Sequence, residues 1–306
     1  MIEIVATAES VEQASLLFDA GVDMVYVGED LFGLRMPASL PKEAIEEITK
    51  IAHAKNKRVI VAVNAIMHND RIEKVLPYLQ FLEKIGVDAI TVGDAGVVHL
   101  LRKHDLKLPF IYDAQTMVTS ANQINFWVKR GAVGAVVARE LTYVELKAIQ
   151  QKVPVPIEVQ VYGATCIYQS KRPLVTNYFN FTEQKHSVSK DDNLFLSEYK
   201  NQDEHYSIFE DINGTHIFAS TDLNLMPHLD MLYDANIKRW KLDGIFVKGE
   251  PFVRIAHLFV QAKQALLDGR WSQEVWEPLN EQLLTYHPKK RPLGTGFFLK
   301  DPSDIK

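Results

Sequence analysis

The sequence predicts a closed (β/α)8 barrel of TIM type, class α/β. Three observations carry that prediction. Short apolar runs alternate with longer helical patterns, the strand-like runs number about eight, and one phrase recurs along the chain. The runs begin at Ile2 ("IEIVAT"), Met24 ("MVYVG"), Arg58 ("RVIVAVNA"), Ala89 ("AITVGD"), Phe110 ("FIYDA"), Gly134 ("GAVVA"), Ile157 ("IEVQVYG") and Arg239 ("RWKLDGIFV"). Most are apolar nearly throughout, as strands covered on both faces must be.

The helical segments between them carry their own signals. "SVEQASLLFDAG" opens on a capping box, Ser10 with Gln13, and ends on Gly21. "PKEAIEEITKIAHAKN" has Pro41 in its first turn and Ile45, Ile48 and Ala52 on one face. Asp94 and Thr142 read as N-caps of the helices that follow them. The recurring phrase is "AGVDMVYVG" at Ala20, "IGVDAITVG" at Ile85, "RGAVGAVVA" at Arg130 and a worn "ANIKRWKLDG" at Ala235. Each reads as a helix end, Gly or Asn in a left-handed turn, then a parallel strand. A doubly wound sheet is the runner-up, but no G-x-G-x-x-G follows the first run.

After the seventh run the rhythm breaks. We assign 1–176 and 221–270 to the barrel, 177–220 to a β-rich insertion over its mouth, and 271–306 to an extended C-terminal arm. Within the insertion, Asn213-Gly214 lies between two alternating runs and predicts a hairpin with a tight two-residue turn.

Composition narrows the function. With 34 basic and 39 acidic residues the net charge is -5, so the chain is no general polyanion binder and DNA is excluded as a partner. Its one cysteine excludes an internal disulfide. The first residues enter a strand directly and no apolar run approaches membrane-spanning length, so a cytoplasmic chain with no membrane partner is expected. The basic sets Lys238-Arg239-Lys241 and Lys289-Lys290-Arg291 read as solvated.

In such barrels the reactive groups lie where strands end. That rule selects Glu29, Arg35, Asn64, His68, Asp94, Asp113, Gln115, Arg139, Glu140, Tyr162, Cys166 and Asp243, half of which could simply cap helices. Alternation puts Glu158, Gln160 and Tyr162 on one face, predicted to point into the barrel. Glu158, Tyr162 and Cys166 are the catalytic candidates; no assigned role follows. Cys166 itself has three readings (nucleophile, metal ligand, small buried residue), with no His or Asp at a helpful spacing. Lys171 and Arg172 follow it, interleaved with Tyr168, Tyr178, Phe179 and Phe181. Such a mixture either holds unstacked RNA bases or packs the insertion's own small core.

Together these segments resemble the collagenase-like peptidase family U-32. "TAESVEQASLLFDAGVDMVYVGEDLFGLR", "VNAIMHND", "ARELT" and "FASTDLNLMPHLDMLYDANIKRWKLDG" carry the likeness over nearly the whole chain. The family signature falls on Glu158, Gln160, Gly163, Ala164, Thr165 and Cys166. Pro173 stands where a second cysteine belongs, and Asn224 replaces the cysteine of the "DLCL" segment. The resemblance implies an iron–sulfur cluster on four cysteines in members that hydroxylate RNA or quinones. This chain has one thiol, so a cluster is expected only in a cysteine-bearing partner and no metal residues are assigned. The chain resembles the short, cysteine-poor branch. That likeness implies a role in forming 5-hydroxyuridine at the tRNA wobble position, with prephenate as oxygen-donor metabolite and a second paralogue as partner beside tRNA. On this reading Arg35, Arg139, Lys171 and Arg172 contact a dianion or phosphate. Asn64, His68, Gln115, Glu140 and Asp243 complete the ligand site. Peptide hydrolysis, as the family name has it, and a non-catalytic scaffold are the alternatives.

Overall fold

The computed structural model describes residues 1–304, so the last two residues of the expected arm, 305 and 306, lie outside the described residues. Seven strands come first: β1 (Glu3–Thr7), β2 (Met24–Val27), β3 (Arg58–Val63), β4 (Ala89–Val92), β5 (Phe110–Tyr112), β6 (Ala132–Val136) and β7 (Ile157–Gly163). Helices α1 (Val11–Asp19), α2 (Lys42–Ala54), α3 (Asn69–Ile85), α4 (Ala95–Lys103), α5 (Ala121–Val128) and α6 (Tyr143–Gln150) alternate with them. Next come β8 (Cys166–Ser170), α7 (Leu174–Phe181), β9 (Phe195–Glu198), β10 (Asn201–Asp211), β11 (Gly214–Phe218) and β12 (Asp222–Asn224). Then α8 (Leu229–Asp234) leads to β13 (Arg239–Leu242), followed by α9 (Glu250–Leu267), α10 (Gln273–Tyr286) and β14 (Leu293–Gly294). Strand β13 pairs in parallel with both β1 and β7, which closes the eight-stranded barrel.

The local signals act where the residues place them. Ser10, Asp94 and Thr142 accept backbone hydrogen bonds as N-caps, and Thr142 with Glu145 completes a capping box. The recurring phrase marks αL turns, with φ of 76° at Gly86 and 61° at Asn236. Two apolar layers result. Val5, Met24, Ile60, Ala89, Ile111 and Val136 fill the barrel, while Ile4, Val25, Val61, Ile90, Ile157 and Trp240 pack outward against the helices. Each buried Val, Ile or Met among them contributes roughly 1.5–3 kcal/mol.

Four expectations change. The insertion begins earlier than 177, because Cys166–Ser170 already forms β8 and pairs with β11 in a separate four-stranded sheet. Its hairpin turns on Ile212 and Asn213, with Asp211 opposite Gly214 and the positive φ of 103° at Gly214. Asn213 is instead recruited as a clamp: it accepts from Arg71 at 2.5 Å and donates to the Asp30 carbonyl at 2.9 Å, fastening the insertion to the barrel. The arm is not wholly extended, since α10 occupies Gln273–Tyr286 and buries Leu283. Beyond it the Arg291 guanidinium grips buried Asp222 with two bonds of 2.6 and 2.9 Å. Finally, Arg239 and Lys241 are buried rather than solvated, because their strand points alternate residues into the barrel. Among the described residues no helix is long and apolar enough to cross a membrane.

Candidate functional site

The C-terminal mouth of the barrel holds a polar network. Asn64, at the end of β3, accepts from the Leu34 amide at 3.0 Å and donates to the Tyr26 hydroxyl at 3.2 Å and to Asp113 at 2.6 Å. Tyr26 also bonds Thr91 at 3.0 Å, and burial together with the Asp113 charge holds its phenol firmly protonated. Gln115 donates to Asp113 at 2.8 Å and accepts from Arg35. Arg35 and Gln115 both adopt positive φ, 54° and 58°, a conformation non-glycine residues rarely take and one associated with functional loops. Arg35 reaches further, to Gln169 of β8 at 2.8 Å, so one guanidinium ties the barrel loop to the insertion.

On the opposite side of the mouth, Gln160 donates to the carbonyls of Gly163 and Ala164 at 3.1 Å each and accepts from the Arg139 Nε. Below it lies Glu158, 1% exposed, both of whose carboxylate oxygens lack a hydrogen-bond partner. Its nearest cation is Lys241 Nζ at 3.9 Å, which also sits 3.6 Å above the Tyr26 ring. Burial pushes the Glu158 pKa up against the opposing pull of Lys241 and Arg239. A buried acceptor pair with no donor is costly in a folded chain, by about 1–3 kcal/mol for each unsatisfied group. Such a pair is suited to a partner that donates hydrogen bonds or carries positive charge.

Several predicted residues stand elsewhere. Tyr162 points away from Glu158 and Gln160: its hydroxyl bonds His287 Nδ1 at 2.7 Å and its ring packs on Phe259 of α9. A register shift between Lys241 and Leu242, opposite Gln160 and Tyr162, breaks the alternation and turns the tyrosine outward. Glu140 is exposed on the turn beside half-buried Arg139. His68 is the exposed residue ahead of α3, and with Arg71, Gln169 and Lys171 it lines a separate cavity of about 90 Å³. Lys171 donates to the Ile212 carbonyl at 2.8 Å, within the insertion, and Arg172 is exposed. Asp243 accepts from the Ile245 amide at 3.0 Å, shaping the loop after β13. Asn224 is committed to Asn280 and to the Met226 amide, so it completes no thiolate set, and one cysteine cannot hold a four-thiolate cluster.

The cysteine has neighbours that chain spacing concealed. Cys166 on β8 stands diagonally across from His216 on β11, and His216 Nε2 meets Asp211 Oδ1 at 2.9 Å. Asp211 and His216 flank the hairpin turn, the signal from which their meeting could have been read. Tyr26, Thr91 and Lys241 were also missed; the alternation that selected Glu158 would have found Lys241 on its strand.

A family model described as "Peptidase family U32" matches residues 9–306. "tRNA hydroxylation protein P2" of Bacillus subtilis is 34% identical over 98% of this chain and 98% of its own. "tRNA hydroxylation protein P" of Escherichia coli is 24% identical over 79% of this chain and 63% of its own. Among solved structures, "The Structure of the U32 Peptidase Mk0906" aligns with a TM-score of 0.50 at 14% identity, over 82% of this chain and 94% of that one.

Proposed function

The chain belongs to peptidase family U32, and on that premise we propose that it is a subunit of an RNA-hydroxylating system acting on tRNA. The product would be 5-hydroxyuridine at the wobble position, with prephenate or a similar dianionic metabolite as oxygen donor. The observation that carries the reading is the barrel mouth: two guanidiniums, Arg35 and Arg139, each braced by a glutamine, above an unpartnered buried carboxylate. Braced guanidiniums suit planar, bidentate recognition of carboxylate or phosphate. Glu158, with its raised pKa, would meet a hydroxyl or a proton on the ligand's far end. Tyr168, exposed on the insertion beside the mouth, offers a stacking face for an unstacked base. A second paralogue would assemble with this subunit. The test is deletion in the native host followed by mass analysis of tRNA nucleosides; unchanged 5-hydroxyuridine, with any paralogue also deleted, would sink the reading. A scaffold role predicts instead that changing Arg139 or Glu158 leaves modification intact.

One observation favours a second reading. Cys166, His216 and Asp211 together resemble the relay of a cysteine peptidase. Cleavage of denatured collagen by the purified chain, lost in Cys166→Ser, would establish it.

A further inference from the structure

We infer that Cys166 is a His216-assisted nucleophile that adds to C6 of the target pyrimidine, with Asp211 and His216 as the residues that position and ready it. The inference rests on the RNA reading above and names the chemical step that reading lacks.

The geometry has three independent parts. Asp211 Oδ1 holds His216 Nε2 at 2.9 Å, which orients the ring and leaves Nδ1 as its working edge. His216 is fully buried, and Nδ1 has no regular hydrogen-bond partner. The pairing of β8 with β11 sets Cys166 diagonally beside this histidine, while the thiol itself donates to the Tyr168 carbonyl at 3.2 Å. Around this pair the surface is apolar: Cys166 packs on Ala164, Phe209, Phe218 and Ile245, and the Phe209 ring lies 5.1 Å from the imidazole. Burial alone would raise the thiol pKa, yet His216, Arg35 and Arg139 together draw it below its ordinary value. Burial likewise opposes the imidazolium, and Asp211 with the sulfur overrides it, so His216 stands above its usual range. The pairing favours the charged form of each group, which readies the sulfur to give up its proton.

Carbon C5 of a uracil is a weak nucleophile. Addition of a thiolate to C6 changes that. The S–C6 bond forms, the C5=C6 π bond breaks, and its electron pair becomes an enolate over C5 and O4. In the absence of an oxygen donor, C5 takes a proton from solvent; loss of either C5 proton and expulsion of the thiolate restores the base. The net event consumes no oxidant and exchanges the C5 hydrogen with water. With a two-electron oxygen donor bound, the same enolate would attack it.

The experiment has three arms on the full chain. In the first, Cys166 is alkylated with iodoacetamide across pH and followed by mass spectrometry, unambiguous because the chain has one cysteine. His216→Gln is expected to slow alkylation at pH 6.5 about tenfold or more and to move the midpoint of the rate profile to higher pH. Equal profiles would overturn the His216 role, and Asp211→Asn should give an intermediate profile. In the second, tRNA carrying [5-³H]uridine is incubated with the chain and its native partners but no oxygen donor. Tritium release by wild type, reduced to the blank in Cys166→Ser, is the expected result. Equal release from both, or release from neither, would overturn the addition step. In the third, the deletion strain is complemented with Cys166→Ser. Full return of 5-hydroxyuridine would overturn the inference and leave the RNA reading standing, whereas a deletion that never lost the nucleoside would sink the RNA reading itself. Peptide hydrolysis abolished by Cys166→Ser with no tritium release would assign the same relay to the second reading.

Discussion

Gly163 joins β7 to the insertion, and its replacement by alanine gives a sharp test of the site's construction. A Cβ at Gly163 would stand 2.0 Å from the Asp243 carbonyl oxygen and 2.9 Å from its carbon, both backbone atoms, at a φ of +104°. Ordinary contact is about 3.5 Å, so either β7 or the loop after β13 must move by about 1 Å or more. Gly86 supplies the control: its φ is +76°, and a Cβ there meets nothing within 4 Å. Gly86→Ala should therefore cost about 1 kcal/mol, the backbone penalty alone. Gly163→Ala adds overpacking of about 1–3 kcal/mol to that penalty, for roughly 2–4 kcal/mol in total. In a chain of 306 residues, with an unfolding entropy of about 2.1 cal/mol/K per residue, each kcal/mol is worth about 1.5–2 °C in Tm. Thermal unfolding followed by circular dichroism should place Gly163→Ala several degrees below Gly86→Ala. The site should suffer too, since the Gly163 carbonyl is one of the two acceptors that hold Gln160 beneath Arg139. Equal melting temperatures for the two variants would refute the close approach of β7 and the loop after β13.

Further outcomes follow from the same contacts. Arg291→Met leaves Asp222, 1% exposed, without its bidentate partner, and should cost about 3–5 kcal/mol in urea unfolding. Glu158 has a folded pKa raised above its unfolded value, so it favours the folded state least once pH exceeds both. Glu158→Gln removes that titration, and the stability of wild type relative to the variant should fall as pH rises from the ordinary glutamate pKa through the raised one. A pH-independent difference would show that the carboxylate is not held protonated by burial. Arg139→Lys keeps the charge but loses the Nε bond to Gln160, and should weaken binding of a dicarboxylate such as prephenate about tenfold by calorimetry.

How much was legible in the sequence depended on the reach of each signal. Strand and helix identities rest on neighbours within one turn or one pleat, so Ser10, Asp94 and Thr142 could be read as caps and Gly86 and Asn236 as αL turns before any coordinates. Alternation along β7 correctly paired Glu158 with Gln160 and failed at Tyr162, because a register shift belongs to the pairing of two strands. Lys241 belongs to a basic cluster that by sequence reads as solvated; closure of the barrel turns it inward toward Glu158.

By itself the amino-acid order determined a barrel whose eight strands end in polar residues, and a chain with too few thiols for a cluster of its own. Tertiary structure decided which of those polar groups meet. Cys166, His216 and Asp211 come together because a hairpin folds β11 back against β10 and β8 across tens of residues. Hydrogen-bond and ion-pair chemistry acts within a few ångströms of space, and distance along the chain carries little record of it.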